Sequence, residues 1–293
     1  MSRGIFVSTA CVAQDFRSLE HQLDAYQAAG INDVELGHCP PPNSSELSAE
    51  IRRRGLRVLL HNYFPPPAKP FVLNLASADS NVLAKSRAMM FRALEISAEV
   101  GAPFYSVHSG FRAEIAADSL GAKLRFGAVQ PEAEAWRRFD ESIRAGLAFA
   151  RSRNVRLLLE PNVVAPFNYT PDCEQVLMMA TANEIVEFFG RIADPNVGLL
   201  LDSGHLNVTA RTLGYDREEF VERVAPWIGA FHFHDNDGLA DQHQPAGLDS
   251  WAAHLVRDSR FTDLPVIVEA KFTAVDRLAA YARSLTSQLT KRI

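Results

Sequence analysis

Residues 197–205 read VGLLLDSGH. An unbroken apolar run this short suits a strand buried on both faces. It stops abruptly at a carboxylate and an imidazole. The same form recurs outward in both directions. Upstream are GIFVSTA from Gly4, NDVELG from Asn32, LRVLLHNYF from Leu56, PFYSVHSG from Pro103 and VRLLLEPN from Val155. Downstream are IGAFHFHDN from Ile228 and PVIVEAK from Pro265. Helical periodicity separates the runs. FRSLEHQLDAYQAAG places Phe16, Leu19, Leu23 and Tyr26 on one face and stops at Gly30. Further helices are expected over 85–100, 132–153, 182–192, 216–224 and 275–289, with shorter ones near 44–54 and 249–257.

Eight strands alternating with helices imply a parallel sheet, and their even spread over 293 residues predicts a single-domain α/β chain, a (β/α)8 TIM barrel spanning 1–293. An open doubly wound sheet would want a glycine-rich phosphate loop after the first strand, and FVSTACVAQDF has none. Two connections, 111–131 and 163–181, exceed what a plain link needs. Both follow strands, so both are expected on the C-terminal face of the barrel, where such folds bind ligands. PPPAKPF from Pro65 stiffens a third.

Composition narrows the function classes. Three cysteines without close spacing (Cys11, Cys39, Cys173) argue against a disulfide framework or a thiolate site. The first residues are too weakly apolar for a signal peptide, and no run is long enough to span a membrane, so a cytoplasmic protein is expected. A net charge of −5 argues against a nucleic-acid partner, although a basic cleft on an acidic chain would be compatible with it.

The strand ends carry the chemistry. They are Glu35, His61, His108, Glu160, Asp202 with His205, His232 with His234 and Asp235, and Glu269. In a barrel these ends ring one mouth. Several acids there, without matching Lys or Arg, would repel one another, and a divalent cation relieves that repulsion. Glu160, Asp202, His232 and Glu269 alone make an oxygen-rich site suited to Mn, Mg or Co. If His61, His108, His205, Asp241 and His243 also bind, the site is multinuclear and suited to Zn. His234 shares a face with His232 and is expected to orient a ligand rather than act as one. His38 is a weak candidate for substrate contact, and His21 and His254 are expected at the surface.

Together, VELG, LLHNYF with LNLAS, SVHSG, LLLEPN, LLLDSGH, HFHDNDGLADQH and VIVEAK make the chain resemble the xylose-isomerase-like TIM-barrel superfamily over its whole length. That superfamily includes sugar (phosphate) isomerases and epimerases, inosose-type dehydratases and the endonuclease IV class of AP endonucleases. The isomerase members imply one metal on Glu160, Asp202, His232 and Glu269, with the two glutamates exchanging protons with a sugar or polyol through a metal-stabilised enediolate. They also imply substrate contacts from Glu35 and His205. His108 is a further substrate-contact candidate, and Lys271 is expected to hold a carboxylate or phosphate. The endonuclease members imply three zinc ions on His61, His108, Glu160, Asp202, His205, His232, Asp241, His243 and Glu269. The loops that grip DNA in that class are replaced here by PNVVAPFNYTPD, NYFPPPAKPF and STACVAQDF, so a small-molecule isomerase or epimerase is the leading expectation. A zinc phosphodiesterase is the alternative, and a homodimer the default assembly. Phe64, Phe111, Phe126, Phe167 and Tyr169 are expected to close over the substrate.

Overall fold

A computed structural model describes residues 4–12, 16–37, 44–171 and 175–290. His38, Cys39 and Cys173 lie outside the described residues. The strands are β1 (Ile5–Ser8), β2 (Asp33–Leu36), β3 (Arg57–His61), β4 (Phe104–His108), β5 (Arg156–Glu160), β6 (Val197–Asp202), β7 (Ile228–Phe233) and β8 (Val266–Val268). They close in sequence order, each parallel to its neighbours, with β8 pairing back to β1. This is a (β/α)8 barrel, as the eight runs require.

The helices are α1 (Leu19–Ala28), α2 (Ser44–Arg54), α3 (Ser80–Val100), α4 (Glu132–Ser152), α5 (Ala182–Ile192), α6 (Ser203–Leu213), α7 (Arg217–Val224), α8 (Trp251–Arg257) and α9 (Val275–Thr290). Capping fixes several starts. Thr181 and Glu184 form a reciprocal capping box on α5. Asp79 accepts from Asn81 and Val82 and starts α3 at Ser80, five residues before the periodicity is clear. Helix α6 departs from expectation. The sixth strand stops at Asp202, whose side chain accepts from the His205 amide and begins a helix. His205 therefore stands on a first helical turn, not on a strand end. None of the described helices is long and apolar enough to cross a membrane.

Most of the core lies between strands and helices. A smaller plug of Phe6, Leu59, Phe104, Leu158, Leu200, Ala230 and Ile267 fills the barrel interior. Strand side chains alternate faces, so residues two further along point the same way, one layer higher. Leu59 is thus followed by His61, Leu158 by Glu160, Leu200 by Asp202, Ala230 by His232 and Ile267 by Glu269. The apolar plug is the rigid floor on which the polar layer stands.

Candidate metal centre

The polar layer converges. Donor atoms within 4.8 Å of one another form four groups: Glu160, Asp202, His232 and Glu269; His61, His108 and Glu160; His234, Asp241 and His243; and Glu35, His61 and His232. His205 joins through Nε2, 3.4 Å from an Asp241 oxygen. All nine residues of the larger expected donor set thus meet at one end of the barrel.

Several of these contacts are poor hydrogen bonds and good ligand spacings. Nδ1 of His232 faces oxygens of Glu269 at 2.9 Å, Glu160 at 3.1 Å and Asp202 at 3.6 Å. One ring nitrogen carries at most one proton, so it cannot serve three carboxylates. Glu160 Oε2 lies 3.6 Å from Nε2 of both His61 and His108 and has no hydrogen-bond partner among the described residues. Donors about 2.05 Å from a tetrahedral ion sit roughly 3.3 Å apart, close to these separations. Asp241 Oδ1 is likewise buried without a hydrogen-bond partner among the described residues. The residues present therefore fit divalent ions.

The far side of most rings is anchored, which fixes which nitrogen faces inward. His232 Nε2 lies 3.0 Å from Glu35. His205 Nδ1 lies 3.1 Å from the Pro161 carbonyl, and His243 Nδ1 lies 2.8 Å from that of Glu269. His61 Nδ1 has a longer contact, 3.4 Å, to the Ser106 hydroxyl. Glu35 is fully buried beneath this layer. It holds a histidine and does not line the cavity where a substrate contact was expected.

His234 carries more weight than its sequence position suggests. Its ring is fully buried, lies 3.0 Å from Asp202 and stacks on His243 with centroids 4.3 Å apart. Gly204 makes room for it, because a Cβ there would lie 2.0 Å from the ring. The backbone is also unusual beside the donors, with φ of 30° at Asn62 and 50° at His243.

Electrostatics follow from burial and crowding. Burial works against a charged His232, but the carboxylates of Glu269, Glu35 and Glu160 outweigh it and raise its pKa well above the usual value. For His205, too, burial opposes the charge, and Asp202 and Asp241 overcome it and raise the pKa well above the usual value. For His243 burial is again opposed, chiefly by the hydrogen bond to Asp241, and the pKa rises to about 9. Burial wins at His108, which falls to about 4. Glu160 resists burial through His108, His232 and His61 and falls to about 2.

Above the donors lies a cavity of about 380 Å³. Its sides are the two long connections, which pair antiparallel through Phe111 and Leu177. Arg112 joins them, donating to the carbonyls of Gln130 and Gln175. His108, His205, Asp241, His243 and Lys271 reach the same space. Of the expected lid aromatics, Phe111 and Phe167 line it. Phe64 instead turns fully into the core, while Phe126 and Tyr169 border a smaller cleft alongside. A hollow of about 430 Å³ elsewhere, beside Ile31 and Arg283, has no comparable donor group among the described residues.

A closed parallel barrel with histidines and carboxylates gathered at its C-terminal mouth defines a class of metal-site TIM barrels. Residues 23–287 match the family described as xylose isomerase-like TIM barrel, and the chain belongs to it. It is similar to "Probable endonuclease 4" of Mycobacterium marinum, 25% identical over 264 residues, covering 86% of this chain and 90% of that one. The Thermoplasma acidophilum protein of the same name is 24% identical over 249 residues, covering 80% and 75%. Among solved structures, an L-ribulose 3-epimerase superposes with a TM-score of 0.70 at 17% identity, covering 99% of this chain and 94% of the other. A Thermus thermophilus protein, TTHB071, soaked with ZnCl2, superposes with a TM-score of 0.61 at 21% identity, covering 98% and 99%.

Proposed function

We propose that this chain is a multinuclear, divalent-metal-dependent enzyme that hydrolyses a phosphate ester of a small, oxygen-rich molecule. The observation that carries this reading is the grouping of donors. A single ion on Glu160, Asp202, His232 and Glu269 would leave His61 and His108 facing Glu160 Oε2 across 3.6 Å, and Asp241 Oδ1 buried, neither oxygen with a hydrogen-bond partner among the described residues. Charge points the same way. Glu35, Glu160, Asp202, Asp241 and Glu269 are five carboxylates. With His205 and His243 still holding their protons, one dication leaves one negative charge in excess, which repels a phosphate. Three dications leave one positive charge in excess, which attracts it.

Bound zinc ions would generate hydroxide from water near neutral pH and take up charge on phosphoryl oxygens. The chain supplies the rest. The anchored imidazoles keep their inward nitrogens aimed, and bound metal would displace the protons that His205, His232 and His243 otherwise hold. Lys271 offers a cation to an outer phosphate oxygen. The paired loops enclose the substrate and limit bulk water. A DNA duplex is a poor fit, because neutralising its backbone takes several cations and Lys271 is the only Lys or Arg among the described cavity residues. The test is a metal count on the purified chain with phosphate release from p-nitrophenyl phosphate. About three ions per chain with metal-dependent release are expected. One tightly bound ion, with no release, would remove the reading.

One observation favours a second reading, the sugar isomerase, epimerase or dehydratase. Glu160 and Glu269 border the same point, 3.1 and 2.9 Å from one His232 nitrogen. That is where two carboxylates would stand to remove and return a proton beside a single ion. It requires solvent deuterium to enter a substrate C–H position, and that exchange to vanish in both Glu160→Gln and Glu269→Gln.

A further inference from the structure

The cavity has two unlike walls. One is the donor layer with Lys271. The other is hydrocarbon, contributed by Phe111, Leu120, Leu124, Val163, Phe167 and Leu177 from the two long connections. Phe167 and Leu120 are among the few large apolar side chains left open in this fold, 43% and 42% exposed. Both face the space that ends at the metal donors.

A bare sugar phosphate does not match this wall. Hydroxyls pressed against it would lose water and gain no partner. A nucleobase finds little to pair with there, because the Asn168 amide beside the wall already spends one donor and one acceptor site. The Asn168 amide accepts from the Leu124 backbone at 2.8 Å and donates to the Ala122 carbonyl at 3.1 Å. One N–H and one lone pair of the amide are left for a base edge.

We propose that the substrate is amphiphilic: an anionic, oxygen-rich head at the donor layer and a hydrocarbon substituent, acyl or aryl, seated between Phe167 and Leu120. The charge of the head rests on the phosphate-ester reading; the hydrocarbon substituent does not. The cavity holds roughly a dozen waters' worth of volume, so head and substituent fit together.

The test uses equilibrium binding to the metal-loaded full chain, so that turnover is not needed. Methylphosphonate and phenylphosphonate share a head and differ in the apolar group. Phenylphosphonate should bind at least about tenfold tighter, the advantage expected from burying a ring. In Phe167→Ser and Leu120→Ser the ratio should fall toward one. Both side chains are substantially exposed, so these variants keep the fold, which circular dichroism would verify. A second pair, acetohydroxamate and benzohydroxamate, repeats the comparison with a metal-chelating head that is not a phosphate analogue. Preference for the aryl member in the hydroxamates alone, lost in the variants, upholds the apolar subsite while removing the phosphate head. No preference in either pair, or a preference untouched by both substitutions, overturns the proposal.

Discussion

Glu160 is the carboxylate shared by two of the donor groups, and replacing it separates a multinuclear site from a mononuclear one. Oε1 stands 3.1 Å from His232 Nδ1, while Oε2 stands 3.6 Å from both His61 and His108. Glu160→Gln keeps the shape, removes the charge and replaces one oxygen by an amide nitrogen that does not ligate. The His61 and His108 position drops to two donors. The other position keeps Asp202, His232 and Glu269, with a neutral amide oxygen, a much weaker donor, in place of a charged one. A four-donor zinc site is worth about 10–16 kcal/mol, so one donor is worth roughly 3 kcal/mol, or about two decades in affinity. Glu160→Gln should therefore lose one ion outright on gel filtration and hold a second about 100-fold more weakly.

Asp241→Asn is the matched control. Its Oδ2 faces His205 at 3.4 Å and His243 at 2.9 Å, and it belongs to neither of the two donor groups that share Glu160. It should lose one ion and leave the others at wild-type affinity. Elemental analysis after gel filtration gives the count, and competition with a chelator gives the affinities. A Glu160→Gln protein that folds and keeps the wild-type count and affinity would refute the shared-ligand geometry.

Other substitutions probe the supports. Glu35→Gln takes the charge from behind His232 and should weaken the Asp202, His232 and Glu269 position about 10–100-fold in a chelator competition, with the ion count at saturation unchanged. Gly204→Ala would drive a Cβ into the His234 ring, and thermal melting should show a loss of about 1–3 kcal/mol typical of overpacking. Arg112→Met leaves the Gln130 and Gln175 carbonyls without their guanidinium; a loss of about 1–3 kcal/mol per buried carbonyl should appear as faster amide exchange in both long connections. In the metal-free protein, His243 binds its proton more tightly folded than unfolded. Its stabilisation is complete below about pH 6.5 and lost as pH rises to about 9, so the melting temperature should fall across that window, whereas His108, depressed to about 4, makes it rise between about 4 and 6.5. With metal bound the upper trend should reverse, because ligation needs neutral imidazole.

The barrel and its donor layer are legible in the sequence because both follow from period-two alternation. Once LLLE, LLLD and VIVE are read as buried strands, the acid must end on the interior face at the same height. What stays hidden is decided by contacts that sequence distance conceals. Nothing local to VELG says that Glu35 turns under His232 instead of toward the mouth; that depends on β2 and β7 facing each other across the barrel. Helix α6 escapes a sequence reading because LLLD continues so naturally as a strand. Its signal is present in DSGH, an N-cap aspartate three residues before a histidine. Gly204 carries a signal too, as a glycine inside a first helical turn without a turn to explain it. Phe64 is indistinguishable from a lid residue because aromatics near a ligand loop look alike in sequence, and only packing separates a core ring from a lid.

The division of labour within the site explains why the family description alone does not fix a reaction. His61, His108, Glu160, Asp202, His232 and Glu269 stand at strand ends above the plug formed by Leu59, Leu158, Leu200, Ala230 and Ile267, while His205 stands on the first turn of α6 and Asp241 and His243 in the connection after β7. The walls of the cavity come from two connections that pair with each other and share the Arg112 staple, so they can be rebuilt without moving a donor. Chemistry and substrate choice are thus carried by separate parts of the chain. A hydrocarbon wall facing a charged donor layer is a selection that the donors could not make. Grafting a polar pair of connections onto this barrel should keep the metal count and abolish the preference for aryl over methyl ligands. If the metal count fell along with that preference, the loops would be part of the donor scaffold, and the separation argued here would fail.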